Sequence, residues 1–262
     1  MKTLKIARYQ LQDVMRSRWI LFYGVFFLLM TDALFRFGGS GERVLLSLLN
    51  VVLIAIPLVS VVLGAMYLYA SREFTELLLS HPVRRRSLFV GLFLGLVLPL
   101  SAAFVLGTFL PFWAHGGVAE GGWGSIGFLL GTGVLLTLIF SALAFLVALA
   151  TEDRIKGLGL CLALWIFFAV VFDGLVLLAI YLLGDFPMEG PVIALSMLNP
   201  IDLGRILLLL NFDISALMGF TGAVFQQFFG SLRGQLLTVG ALLLWGGLPF
   251  AVAMRVFGRK NF

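Results

Sequence analysis

The chain has 262 residues, of which 61% are hydrophobic and only 12% charged, with a mean hydropathy of +1.10. No water-soluble fold hides that much apolar side chain, so composition excludes a soluble enzyme and specifies an integral membrane protein. The formal net charge is +5, but the basic residues gather at the ends of apolar runs and form no single stripe. They read as topology signals, and nucleic acid is excluded as a partner. The one cysteine, Cys161, lies within an apolar run, so no disulfide or thiolate metal cluster forms within the chain.

Residues 1–18 put Leu4, Ala7, Leu11, Val14 and Met15 on one helical arc, with Lys2, Lys5, Gln12 and Arg16 elsewhere around the wheel. The pattern predicts an interfacial helix resting on an anionic leaflet. A signal peptide is the alternative for a basic start before an apolar core, but no Ala-x-Ala cleavage pattern follows. Six runs then reach the roughly 20 residues a helix needs to cross a bilayer. They are 19–37, 44–70, 87–113, 125–149, 158–183 and 235–256, each opened or followed by charged or turn-forming residues. With this order, 14 of the 18 Lys and Arg residues fall on one side, and Arg36, Arg43, Arg205 and Arg233 on the other. The positive-inside rule sets both termini in the cytoplasm.

Between the second and third spans lies a charged island, SREFTELLLSHPVRRR, from Ser71 to Arg86. Ser71 as N-cap, Phe74, Leu77 and Leu78 at helical spacing, and a stop at Pro82 predict a short amphipathic cytoplasmic helix over 71–81. Arg84, Arg85 and Arg86 mark the edge of the next span. Pro57, Pro99 and Pro249 fall inside spans as kinks or hinges. The pairs Gly91/Gly95 and Gly127/Gly131 have the spacing of close helix crossings, a spacing that chance explains equally well in a chain with 30 glycines.

The segment 184–234 differs from the other connections: it is long and keeps an apolar, patterned middle. Asn199 reads as an N-cap, Pro200 as the first helical residue and Asp202 as an acid in the first turn of a helix through Leu210. Asp213 and Thr221 are candidate caps for two more helices, the last ending at Gly230. Segments this short do not span, so they are read as re-entrant or interfacial helices forming a gate or docking shelf, or a lid over the bundle.

The chain carries no G-x-x-x-x-G-K-[ST], no H-E-x-x-H and no G-x-S-x-G, so ATP-driven work requires another chain. His81 and His115 are assigned to opposite sides of the membrane. Asp173, in VVFDGLV, is the one acid well inside a span, and a carboxylate there faces the bundle interior or a cavity, as a functional group or as a structural one bonded across a helix interface. Asp32, at the outer end of the first span, faces water or pairs with Arg36. The scattered methionines Met30, Met66, Met188, Met197, Met218 and Met254 are read as packing residues and not as a copper(I) path.

An N-terminal amphipathic helix, six spans and REFTELLLSHPVRR, Arg72 to Arg85, resemble the ABC-2 class, or type V, of ABC transporter permeases. The resemblance covers the whole chain. It implies that residues 1–18 are an elbow helix and that 71–81 is the coupling helix, with Arg72, Glu73, Phe74, Glu76, Leu77, Pro82 and Arg84 at or beside the docking surface for a separate ATPase that holds ATP and Mg. It also implies re-entrant helices over 184–234, with Asn199, Pro200, Asp202, Arg205 and Asp213 at an outer gate or docking site. The chain itself is expected to bind no cofactor or metal and to have no catalytic residues.

A narrower likeness lies in LNPIDLGRILLLLNFDISALMGFTGAVF, Leu198 to Phe225, together with Val171-Phe172-Asp173. It is similar to the NosY-type permeases, whose transporters assist assembly of the copper-sulfur centre of nitrous oxide reductase. That likeness implies a homodimer in a bacterial inner membrane, NosF-type ATPase subunits and a periplasmic NosD-type accessory protein. The cargo would be a sulfur or copper species, or the output mechanical. Two alternatives are an ABC-2 exporter of a lipid, drug or polysaccharide, and an ion-coupled secondary transporter or intramembrane enzyme using Asp173.

Overall fold

The computed structural model describes residues 18–38, 40–80, 84–117, 122–182, 189–212 and 232–260. Nearly everything in them is helical, as it must be where no water is available to satisfy a bare backbone. In chain order the helices are α1 (Arg18–Gly38), α2 (Gly41–Ala70), α3 (Arg72–Leu79), α4 (Arg85–Ala114), α5 (Trp123–Ala150), α6 (Arg154–Leu182), α7 (Glu189–Met197), α8 (Pro200–Asn211) and α9 (Leu232–Arg259). Six of them, α1, α2, α4, α5, α6 and α9, are long and apolar enough to cross a membrane. The expected all-helical, six-span protein is what the chain folds into. The elbow segment before Arg18, Pro82 and His81, and Asp213, Thr221 and Gly230 lie outside the described residues.

The bundle has an inner and an outer tier. α5 is the most enclosed span and packs along α2 on one flank and α9 on another, while α1 leans chiefly on α4. A Phe cluster packs along the seam between α4, α5 and α9. Phe93 meets Phe145 edge to face at 5.5 Å, and Phe89 lies 5.4 Å from both Phe250 and Phe257. Gly133 on α5 sits against the Phe104 ring, and a β-carbon there would also stand 2.8 Å from Ile56, so the three inner helices approach closely at this point. Gly127 and Gly131 serve no such contact, since nothing stands within 4 Å of a β-carbon built on either. Their spacing is that of a crossing motif, but they lie on an open face of α5, and the close approaches fall at Gly133 and at Gly64, where Ala144 is the neighbour.

Prolines 57, 99, 111 and 249 all lie inside continuous helices. Close to Pro57, which leaves the Leu53 carbonyl without its helical amide, the Trp165 indole of α6 donates to the neighbouring Ile54 carbonyl at 3.2 Å. Asp153 caps α6 by accepting from the amides of Ile155 and Lys156. At the opposite end, Asp32 of α1 takes Arg36 Nε at 2.7 Å and His115 Nε2 at 2.8 Å, and His115 stacks on Phe35. The expected Asp32–Arg36 pair thus has a third member that joins α1 to the end of α4.

Candidate functional site

Two polar constructions stand out from the apolar bundle, one at each end of the path through it. The first is built on α3. Ser71 was expected to cap it through its side chain, but the hydroxyl turns back to the Tyr67 carbonyl at 2.7 Å. The chain passes from α2 to α3 in a nearly helical conformation, the Ser71 amide bonding the Tyr67 carbonyl and the Thr75 amide the Ser71 carbonyl, so the hydroxyl adds a second donor to Tyr67 and caps no amide of α3. Thr75 is buried at the root of α3, and Phe74 is half-buried. Glu73, Glu76 and Leu77 face outward, with Leu77 68% exposed.

Arg72 turns inward. Its guanidinium lies 4.7 Å over the Tyr69 ring and donates to the Thr151 and Glu152 carbonyls, each at 3.0 Å. The Tyr69 hydroxyl meets the Thr151 hydroxyl at 2.5 Å and lies so close to Gly157 that any side chain there would collide with it. Lys260 reaches the Leu149 carbonyl at 2.8 Å, and Arg85 the Lys260 carbonyl at 2.6 Å. Burial, then the positive charge of Arg72, holds the Lys260 ammonium below the usual lysine range, against the pull of Glu152. The root of α3 is therefore bolted to the α5–α6 connection, and through it to the end of α9.

The second construction joins α6 to α8. α6 carries a π-helical turn over Phe167–Val171, where the ordinary ladder is interrupted. Asn199 answers it from outside the helix: its side-chain amide donates to the Phe168 carbonyl at 2.9 Å and to Asp202 at 3.0 Å, and its oxygen accepts the Ile201 amide as N-cap of α8. Directly after the π-turn, Asp173 accepts from Arg205 Nη1 at 3.0 Å, and the same nitrogen reaches Asp202 at 3.0 Å. Asp173 and Arg205 are each about one third exposed, and Asp202 is more enclosed.

Burial pushes the Asp202 carboxyl up to about 7, the Asp173 charge adding to the effect and the Arg205 charge opposing it. With a proton on Asp202, the two carboxyls and one guanidinium carry no net charge, the cheapest state for a cluster in an apolar wall. α8 itself is wedged into the bundle. A β-carbon at Gly204 would stand 3.2 Å from Thr132, 3.3 Å from Leu53 and 3.6 Å from Leu136, and Ile201, Leu203, Ile206 and Leu208 are buried. Thr132 lies nine residues inside α5, about 13 Å from its end at 1.5 Å per residue, so α8 enters the bundle from the side of the 184–234 segment.

An apolar six-span bundle with a short amphipathic helix after the second span is matched by one family description. The model of the ABC-2 family transporter proteins fits residues 4–262. The chain belongs to the ABC-2 transporter family. A protein of Pseudomonas aeruginosa described as a probable ABC transporter permease protein NosY is 30% identical over 272 residues, covering 97% of each chain. One of Stutzerimonas stutzeri with the same description is 28% identical over 285 residues, again with 97% of each chain. The ABC-2 protein is a transport membrane subunit and not the catalytic one. Its family implies a separate ATPase and a dimeric assembly.

Within this ABC-2 permease, the residues singled out in the sequence fall into three groups. Glu73, Phe74, Glu76 and Leu77 share α3, with Arg72 directed away from its outward face and Arg84 standing at the start of α4. Asp173, read separately from Asn199, Pro200, Asp202 and Arg205, is brought into one cluster with them. Pro82 and Asp213 lie outside the described residues. Sequence reasoning missed Tyr69, Thr151, Lys260 and the Phe168 carbonyl. Thr151 and Lys260 carried no signal beyond standing at span ends, and nothing in FFAVV announces a π-turn.

Proposed function

We propose that this chain is the membrane half-channel of an ABC exporter of the NosY type, moved by separate NosF-type ATPase subunits. Its output is export of a sulfur or copper species, or mechanical action on a periplasmic NosD-type partner, for assembly of the copper-sulfur site of nitrous oxide reductase. The observation that carries the reading is α3: an outward face of Glu73, Glu76 and Leu77 on a helix whose root is held by Arg72 and Tyr69 to the α5–α6 connection. A push on that face is delivered through Thr151 into α6, which leads to the π-turn and the Asp173–Arg205–Asp202 cluster at α8. The cargo rests on the likeness of Leu198 to Phe225 and on the description of the two relatives.

In this reading the permease works as a homodimer in the bacterial inner membrane with both termini cytoplasmic, as the distribution of Lys and Arg favours. ATP and Mg are held by the partner, and residues 1–18 act as the elbow helix. The outer gate or docking shelf is the segment Asn199 to Gly230. Asp173 opens or closes it by exchanging its Arg205 contact, a two-state element that small displacements at α3 can bias.

One experiment tests coupling and pathway together. E73K/E76K in the complete transporter is expected to lower permease-stimulated ATP turnover at least about tenfold, from two like-charge contacts at a docking surface. The same cells should make nitrous oxide reductase lacking its copper-sulfur absorption. Unchanged turnover would remove the coupling role of α3. Lost turnover with a fully loaded reductase would keep the ABC mechanism and move the cargo to a lipid, drug or polysaccharide.

A further inference from the structure

The ends of α4 and α9 enclose a groove of about 800 Å3. Arg84, Arg85 and Arg86 wall it on one side and Arg255 and Arg259 on the other, with Met254 among its apolar lining residues. Guanidinium groups stay charged in a protein, so five of them around one cavity repel one another unless an anion lies between them. Among the described residues, no carboxylate pairs with any of the five. Arg85 is occupied in donating to the Lys260 carbonyl, while Arg84, Arg86, Arg255 and Arg259 are exposed. α4 also begins at this mouth with no side-chain cap on its first turn, adding the positive end of a 30-residue helix.

Deeper along the same helices lies a second, apolar groove of about 300 Å3 between α4, α5 and α9, lined by Val90, Phe93, Leu242, Gly246 and Phe250 among others. Val90 and Phe250 are each one helical turn inward from Arg86 and Met254. A basic cavity at the end of the spans, followed one turn deeper by a strip without charge, has the shape of a phosphate headgroup with an acyl chain behind it. A free phosphate would use only the first half, and an acidic protein surface would leave the second half empty.

We propose that the α4–α9 seam binds one anionic phospholipid, its phosphodiester held by Arg84, Arg86 and Arg255 and one acyl chain lying along Val90, Gly246 and Phe250. The site requires only that α4 and α9 span a bilayer. It is separate from the Asp173 cluster, and it borders the α3 end through Arg84, which the resemblance sets at or beside the ATPase docking surface, and Arg85, which holds the Lys260 carbonyl.

The test uses the full-length permease in nanodiscs, with bound lipid counted by native mass spectrometry. Phosphatidylglycerol should be retained in preference to phosphatidylcholine. R84Q/R86Q/R255Q should lower phosphatidylglycerol affinity about a hundredfold, from three lost interfacial charges, and leave phosphatidylcholine unchanged. The corresponding triple Lys variant should keep the preference and so separate charge loss from misfolding. G247L fills the apolar groove at a position where nothing stands within 4 Å of a β-carbon. It should weaken phosphatidylglycerol retention without altering competition by inorganic phosphate. Equal retention of both lipids overturns the proposal. So does phosphate binding with no lipid preference, or loss of ATPase co-purification in the Gln variant with phosphatidylglycerol retention intact.

Discussion

α5 and α6 are almost indistinguishable by composition and opposite in their surroundings. Their most apolar stretches have mean hydropathies of 2.6 and 2.5, yet 72% of that stretch is buried by protein in α5 and 17% in α6. In water such a difference in burial would show in the side chains, because exposed apolar surface is costly. In a bilayer lipid and protein are equally apolar, so hydropathy reports only that a helix is in the membrane. What separates the two helices is close packing. α5 is held by ring and glycine contacts along its length, whereas α6 is held at a few points: Thr151 at its start, its own Trp165 on the Ile54 carbonyl of α2, and Asn199 and Arg205 at and just after the π-turn.

The sharpest way to break this comparison is to add volume to each helix. G133V drives a branched side chain into Phe104 and Ile56 and should cost about 3 kcal/mol, read as a large fall in thermal midpoint or in accumulated protein. G174V meets nothing within 4 Å and should stay within about 1 kcal/mol of the parent. If G174V proves as damaging as G133V, the open face of α6 is covered in the assembled transporter, which would point to the second copy of the chain.

Next in size is the charge cluster that ties α6 to α8. R205A leaves Asp173 and Asp202 facing each other without their cation and should cost about 2 kcal/mol, moderated by the partial exposure of the pair. The same cluster gives a pH signature. Asp202 holds its proton to about 7 in the fold and to 3.8 when unperturbed, so the folded state binds more protons between those values. Its contribution is fully present below about pH 4 and is lost as the pH rises through about 7. D202N should flatten that slope in a pH series of thermal midpoints.

Smaller than the loss of Arg205 is the effect expected of N199A. It leaves the Phe168 carbonyl without its donor and the Ile201 amide without its cap, for about 1.5 kcal/mol. Its consequence should be local, with faster hydrogen exchange at residues 167–173 of α6 and unchanged exchange in α5.

Much of this protein was legible without coordinates. The six spans, the amphipathic α3 and the start of α8 at Asn199-Pro200 follow from apolar run length, helical spacing and the chemistry of an N-cap followed by proline, which are local properties. Asp173 stood out because a carboxylate in an apolar run is rare. The readings that failed were those that needed a partner. Ser71 has the residue type of a cap but lies between two nearly continuous helices, so its hydroxyl serves the earlier one. Gly127 and Gly131 have the right spacing, but spacing does not say which face of a helix meets a neighbour.

By itself, then, the sequence determined that this is a membrane protein, how many helices are long enough to cross, and where its charged and capped segments lie, since each depends on a few consecutive residues and on the solvent around them. Only the tertiary structure decided that Arg72 turns inward to the α5–α6 connection, that Asp173, Asp202, Arg205 and Asn199 form one cluster, and that five arginines from two distant stretches of the chain share a groove. The contacts that bring these elements together reach from 31 to 175 positions along the chain, as Asn199 to Phe168 and Arg85 to Lys260 do, and no local pattern encodes which distant partner a side chain will meet.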